Sequence, residues 1–298
     1  MRSPAKAHLF IFLANLLYGI NYSVGKIALQ SIGPFTIVFY RVVGAAILFS
    51  LLHQIFIREK TEAKDHLKLA LAALFGVAIN QLLFFKGLSL TSETHAALIM
   101  ITTPIIVLVM AWFLLKDPIT IFKSLGIGLG AIGVYLLIHS GARQTTTDAT
   151  VAGDLCVMIN ATSYAIFLVL AKPLMQKYHP LTIAKWIFLF GVLFVLPFGL
   201  PPALHVDYSL VPAEAYYAMI YVILGTTVLA YMFNIFGLHY GDPALVSVYI
   251  YLQPIIATLI AILFGTDSLH WQFVLSSLFV FTGVAFVSRK KGINRNAS

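Results

Sequence analysis

Apolar residues run in stretches of about twenty along this 298-residue chain, broken by short polar turns. A helix needs about 20 apolar residues to cross the hydrocarbon of a bilayer. The pattern predicts ten such helices, at roughly 7–29, 34–53, 67–88, 94–115, 121–139, 154–172, 181–200, 214–237, 243–264 and 270–288. Barrel strands would alternate apolar and polar residues, whereas these runs are apolar on most sides. The first run follows Lys6 but is too long for a signal core and has no small-residue cleavage site after it, so it counts as a span.

The pattern also repeats. A shift of 150 places Gly87-Leu88 on Gly237-Leu238, Pro104-Ile105-Ile106 on Pro254-Ile255-Ile256, Asp117 on Asp267 and Gly133-Val134 on Gly283-Val284. Residues 87–134 share ten identities with 237–284, where apolar composition alone gives roughly four, and the matched Pro, Asp and Gly are types that hydrophobicity cannot supply. At a shift of 146, Tyr18 falls on Tyr164, Lys26 on Lys172, Gln30 on Gln176 and Pro34 on Pro180, while Arg41 falls on Ile187. Each half then holds five spans, an odd number, so the second must cross the membrane upside down relative to the first. The expected fold is all-α and integral to the membrane, with ten transmembrane helices as two inverted five-helix repeats at 1–140 and 153–290, and a basic cytoplasmic tail at 291–298.

Composition agrees: 60% of residues are hydrophobic and 10% charged, against roughly 45–50% and 25% in soluble domains. Basic residues in short loops stay on the cytoplasmic side. With the amino terminus inside, fifteen Lys and Arg fall in cytoplasmic segments and only Arg143 outside, so both termini are expected in the cytoplasm. The net charge of +8 then reports topology and contact with anionic lipid heads rather than nucleic-acid binding. A multi-pass position in the cell (inner) membrane, as a monomer, is the expectation.

Polar residues inside the spans are the candidate chemistry. Asn15, Tyr18 and Tyr22 fall at i, i+3 and i+7 on one face of the first helix, and Lys26 extends that stripe. Such a face is costly against lipid and turns inward, either to line a site or only to pack between helices. Arg41 lies about 10 Å of helix rise inside span two, deeper than Lys26 or Lys86, which can snorkel. A structural partner, substrate contact and snorkelling are all open to it. Asn80-Gln81 near the middle of span three serve as interhelical glue or line a wet cavity. Thr102-Thr103-Pro104 in span four matches Leu252-Gln253-Pro254 in span nine, and proline-interrupted helices in matching places of two halves point to a transporter's binding site. The second half adds Asn160, Ser163, Tyr164 and Phe167, then Tyr231, Asn234, Tyr249, Tyr251 and Gln253, an aromatic and amide cluster suited to a ligand with a flat or apolar part. Tyr216, Tyr217 and Tyr221 read as interfacial belt residues, the glycines of span five as a packing face, and Gln54 to His66 as solvated surface. Tyr18 and Tyr164 are expected to face each other across a cavity.

Intramembrane hydrolases need a nucleophile with a base or a metal cluster, and the nine histidines stand at helix ends or in loops without ligand spacing. The single Cys156 excludes an intrachain disulfide. No catalytic residue, metal or cofactor is expected, and an enzyme is the weakest reading; a channel is the other alternative, though no charged ring or filter is present. No Asp or Glu falls mid-span, which favours facilitated diffusion or exchange over proton or sodium coupling.

The run Leu17-Tyr18-Gly19-Ile20-Asn21-Tyr22 through Lys26, then Pro34 and Arg41, then Lys86-Gly87-Leu88 with Pro104 and a helix ending before Asp117, resembles the EamA-type branch of the drug/metabolite transporter superfamily. The resemblance covers almost the whole chain. It implies ten helices with cytoplasmic termini and a central cavity lined by helices one, three, four, six, eight and nine, with five and ten peripheral. It implies export or exchange of small metabolites, commonly amino acids, by alternating access. On this sequence the substrate-binding candidates are Asn15, Tyr18, Tyr22, Asn80, Gln81, Thr102, Tyr164, Tyr231, Tyr249 and Gln253, with Arg41, Pro104 and Pro254 as structural or gating residues. Relatives of this type often carry tryptophan where Tyr18 stands.

Overall fold

The structure, a computed structural model, describes residues 4–91, 96, 99–140, 150–263 and 271–288. Among these residues the chain is helical apart from short connections and forms no strand. We label the helices α1 (Pro4–Ser31), α2 (Pro34–Phe56), α3 (Ala63–Leu90), α4 (Thr103–Leu115), α5 (Ile121–Ser140), α6 (Val151–Lys177), α7 (Pro180–Leu204), α8 (Ala213–Tyr240), α9 (243–263) and α10 (Trp271–Ser288). Six of the described helices, α2, α3, α6, α7, α8 and the first 18 residues of α9, are long and apolar enough to cross a membrane; α4, α5 and α10 are apolar but shorter. The long polar connection near Arg143, His95, Asp267 and the basic tail, on which expectations were placed above, lie outside the described residues.

Local chemistry sets the ends. Pro34, Pro104, Pro180 and Pro243 stand in first turns, where proline's missing N–H costs nothing. Thr150 caps α6 by accepting from Gly153 N, and the Asp242 carboxylate caps α9 by accepting from Leu245 N. The sequence predicts a proline-interrupted span over 94–115, and the chain turns at Ile101-Thr102 before α4 begins. Proline leaves the carbonyl four residues back, here Met100 O, without its helical donor; the Thr102 hydroxyl donates instead to Ile99 O at 2.7 Å and closes the turn before it. In α9 the matching stretch Tyr249–Tyr251 tightens to a 3-10 turn before Pro254. A second matched irregularity lies in α3 and α8: Leu74–Ile79 and Val222–Leu229 are π-helical, and the 150-residue shift carries 74–79 onto 224–229.

Packing follows the same shift. A Cβ on Gly126 would lie 2.5 Å from Gly283 O, and one on Gly133 2.8 Å from Ser276 O. Because Gly133 corresponds to Gly283 and Gly126 to Ser276, the α5–α10 contact is reciprocal, as between the two sides of an isologous interface. The pattern recurs where Gly87 meets Val157 and Gly237 meets Ile11, pairs related by the shifts of 150 and 146. Helix α2 packs along α7, with Phe49 and Phe188 rings 5.3 Å apart.

The segment between α2 and α3 is more than solvated surface. Glu59 accepts from His179 N at 2.9 Å and from the Thr182 hydroxyl at 2.6 Å. Lys177 Nζ reaches Asp65 at 2.5 Å and Glu62 at 2.6 Å. Hydrogen bonds from Lys177 and Lys64 hold the Glu62 carboxyl below the usual carboxylate range. Sequence reading missed this because the partners of the loop lie more than 100 residues away, at the α6–α7 turn. Tyr221 also departs from its expected interfacial place: its hydroxyl donates to Leu17 O at 2.9 Å, whereas Tyr217 is 72% exposed.

Candidate substrate cavity

Seven helical segments surround a cavity of about 100 Å3 whose largely apolar wall carries several amide, phenol and guanidinium side chains. A single water needs roughly 10–15 Å3, so there is room for a small metabolite rather than a lone solvent molecule. Helix α1 contributes Tyr18 and Asn21, α2 Arg41, and α3 Asn80, Gln81 and Phe84. Met100 lies just before α4; Asn160 and Tyr164 come from α6, Tyr231 from α8, and Ile250 and Gln253 from α9. Helices α5 and α10 contribute nothing to this lining, being taken up by their glycine contact with each other.

Three pairs in the lining are repeat partners: Tyr18 with Tyr164, Gln81 with Tyr231, and Met100 with Ile250. The second pair is in contact, Gln81 Nε2 donating to the Tyr231 hydroxyl at 3.3 Å. Tyr231 in turn donates to Gly76 O inside the α3 π turn. That carbonyl lies within the π-helical stretch Leu74–Ile79, a kind of irregularity often found at functional sites. Asn80 and Asn160 bind each other's backbone, the Asn160 amide donating to Asn80 O at 2.7 Å.

Beyond the cavity, toward the end that carries the chain's first residues, the helices close on one another. Gln253 donates to Asn15 Oδ1 at 2.8 Å, and Asn234 donates to the Tyr164 hydroxyl at 2.6 Å. His8 and the Tyr249 hydroxyl are 2.6 Å apart. Furthest along, the Lys172 ammonium donates to the carbonyls of Leu238, at 2.6 Å, His239 and Gly241. A cation there meets both the unpaired carbonyls and the negative pole at the end of α8.

Of the sequence candidates, Tyr18, Asn80, Gln81, Tyr164, Tyr231, Gln253 and Arg41 are thus brought together. Asn15 sits behind Gln253, Tyr249 belongs to the closed end, and Thr102 is spent on its own turn. Pro104 is buried and Pro254 partly so, each starting the continuous part of its helix. The side chain of Tyr22 lies outside the described residues. Asn21, Phe84, Met100 and Ile250 line the cavity without having been singled out. Asn21 and Phe84 stand one turn beyond Tyr18 and Gln81, a spacing that could have found them; Met100 and Ile250 carry no polar signal.

The EamA-like transporter family profile matches this chain twice, over residues 5–139 and 151–289. The chain belongs to that family. An uncharacterized transporter of Archaeoglobus fulgidus is 26% identical over 96% of this chain and 99% of its own length. The uncharacterized transporter YyaM of Bacillus subtilis is 25% identical over 94% of each chain. A solved crystal structure superposes with a TM-score of 0.76 at 17% identity, covering 96% of this chain and 98% of the other, which shows a shared fold. This EamA family member is a multi-pass membrane transporter.

Proposed function

We propose that this protein moves small metabolites, amino acids or similar compounds, out of the cell by alternating access around the cavity between its halves. The observation that carries the reading is the placing of three repeat-related pairs, Tyr18/Tyr164, Gln81/Tyr231 and Met100/Ile250, around one cavity. A residue touches its own repeat partner only near the axis that relates the two copies. The Gln81–Tyr231 bond and the Tyr251 hydroxyl donating to Ile101 O at 2.9 Å, both across 150 residues, support such an axis beside the cavity. Together with the reciprocal glycine contacts they support two five-helix halves threaded oppositely, which can open in turn on either side of the membrane.

With both termini in the cytoplasm of an inner-membrane monomer, the end closed by Lys172 is the cytoplasmic one and the cavity faces outward. Lys26 is the repeat partner of Lys172, and the carbonyl-bearing residues Leu238, His239 and Gly241 correspond to Leu88, Ser89 and Thr91. In the inward-facing state Lys26 takes the equivalent place over the end of α3. Among the described residues the cavity lining contains no carboxylate, which favours exchange or facilitated diffusion over proton or sodium coupling. Proteoliposomes loaded with a labelled amino-acid mixture test this: efflux accelerated by external unlabelled substrate without an ion gradient is expected, and strict dependence on a proton gradient would overturn the uncoupled mechanism.

A further inference from the structure

One charged side chain stands among the described residues of the cavity lining, and it is a cation. Arg41 is 4% exposed, so it does not snorkel to an interface. Its Nε donates to the Thr227 hydroxyl at 2.8 Å, and its guanidinium carbon lies 5.1 Å over the Phe85 ring. Both contacts are neutral. The titratable side chains acting on it are the phenols of Tyr231 and Tyr18, uncharged at neutral pH, and no carboxylate among the described residues reaches it. Thr227 and Phe85 therefore orient the guanidinium without neutralising it. A charge withdrawn from water with no counter-charge is among the costliest features a folded chain can carry.

The charged end of the side chain is left available. Nη1 and Nη2 of Arg41 make no hydrogen bond to the described residues, yet neither is sealed off, and the residue lines the cavity. Asn21 is arranged in the same sense: its Oδ1 is closed off, whereas its Nδ2 keeps open surface and donates to none of the described residues. The side-chain oxygens of Gln81 and Asn160 are likewise shut away from the cavity. What Arg41 and Asn21 offer to the cavity is therefore N–H, the half of a hydrogen bond that an anion completes.

We propose that a small monovalent anion of the halide class binds in this cavity against Nη1 and Nη2 of Arg41, with the Asn21 amide as a further donor, and serves as the resident counter-ion of the protein. One positive charge sets the valence. A monovalent anion brings the lining to neutrality, whereas sulfate or phosphate would leave a buried negative excess. A volume of about 100 Å3 admits a halide together with water. Neutralisation needs occupancy and no anion gradient, so the site stands whatever else the cavity carries.

The test uses the purified full chain in detergent, at constant sodium concentration and ionic strength, with chloride or bromide replacing gluconate, a far bulkier anion. Melting temperature should rise saturably with either halide, as for any ligand that binds only the folded state. A chloride NMR line broadened by the protein should narrow again on adding excess bromide. In Arg41→Gln the half-saturating chloride concentration should rise by about tenfold or more, the factor that loss of a charged hydrogen bond produces. In Asn21→Leu it should rise by a smaller factor, about threefold. Should Arg41→Gln not fold, the bromide competition on the native chain and the Asn21→Leu shift decide. A response that does not saturate, an equal response to gluconate, or a half-saturating concentration unchanged in both variants overturns the assignment. Stabilisation by acetate and not by halide overturns it too, with a carboxylate as the occupant. Efflux from proteoliposomes is read separately: a chain that binds halide and carries no metabolite overturns the transport reading and leaves the anion site standing, and one that carries metabolite without any halide response does the reverse.

Discussion

Gln81 and Tyr231, separated by 150 residues and occupying the same place in the two repeats, are hydrogen-bonded to each other at 3.3 Å beside the cavity. The Tyr231 hydroxyl also satisfies Gly76 O in the π turn of α3. Tyr231→Phe leaves the Gln81 amide and that carbonyl without this partner, both buried. A loss of about 1–3 kcal/mol is expected, measured by denaturant or thermal unfolding in detergent. Tyr18→Phe removes one hydroxyl and its hydrogen bond with Asn234, so a smaller loss of about 0.5–1.5 kcal/mol is expected, with its main effect on transport.

Lys172 holds three carbonyls at the end of α8. Lys172→Met removes the cation from that end and should shift the resting population toward the inward-facing state. Lys26→Met should shift it the opposite way. In a Cys156→Ser background, reactivity of a cysteine placed at Asn15 toward a cytoplasmic thiol reagent should rise in Lys172→Met and fall in Lys26→Met. Equal change in both variants would remove the paired role.

Glycines of α5 divide sharply by what faces them. Gly126 and Gly133 look onto backbone of α10, whereas a Cβ on Gly128 would meet nothing within 4 Å. Gly126→Leu and Gly133→Leu should force the helices apart and destabilise by about 1–3 kcal/mol or more. Gly128→Ala should be neutral or slightly stabilising, since alanine is the better helix former by about 1 kcal/mol. Thermal unfolding of the three variants distinguishes them.

At the start of α7, His179 Nδ1 accepts from Leu181 N, which requires that nitrogen to be unprotonated. Burial lowers the His179 pKa below its ordinary value. The unfolded chain therefore binds the proton more readily, so stability is complete above the unfolded pKa, near 6.5, and declines as pH falls through it toward the folded value. Melting temperature should drop between pH 7 and pH 5.5 more in the native protein than in His179→Asn, whose amide caps the helix without titrating.

Much of this architecture could be read from residues alone. Matched Pro104 and Pro254 marked where α4 and α9 break, and Tyr18, Gln81 and Tyr231 announced the cavity because hydrogen-bonding groups at helix centres must face away from lipid. What escaped reading depended on distant partners. Arg41 could be recognised as costly, but only its neutral surroundings, Thr227 and Phe85, distinguish an orienting contact from a neutralising one. Met100 and Ile250 are apolar residues in an apolar chain, and nothing in their identity separates a cavity wall from a core. The ties of Glu59 and Glu62 to the α6–α7 turn were hidden by sequence separation, and the π turns by the lack of any residue type that demands one.

The central claim is that one cavity opens to each side of the membrane by turns, and accessibility of two repeat-related positions tests it most directly. Phe84 lines the cavity and its repeat partner Asn234 lies at the closed end, bonded to Tyr164. In Cys156→Ser cells, Phe84→Cys should react with a membrane-impermeant thiol reagent from outside and Asn234→Cys only from the cytoplasmic side. Lys172→Met should slow the first reaction and speed the second. Reaction of both positions from the same side, or rates that rise and fall together, would contradict two oppositely threaded halves sharing one site.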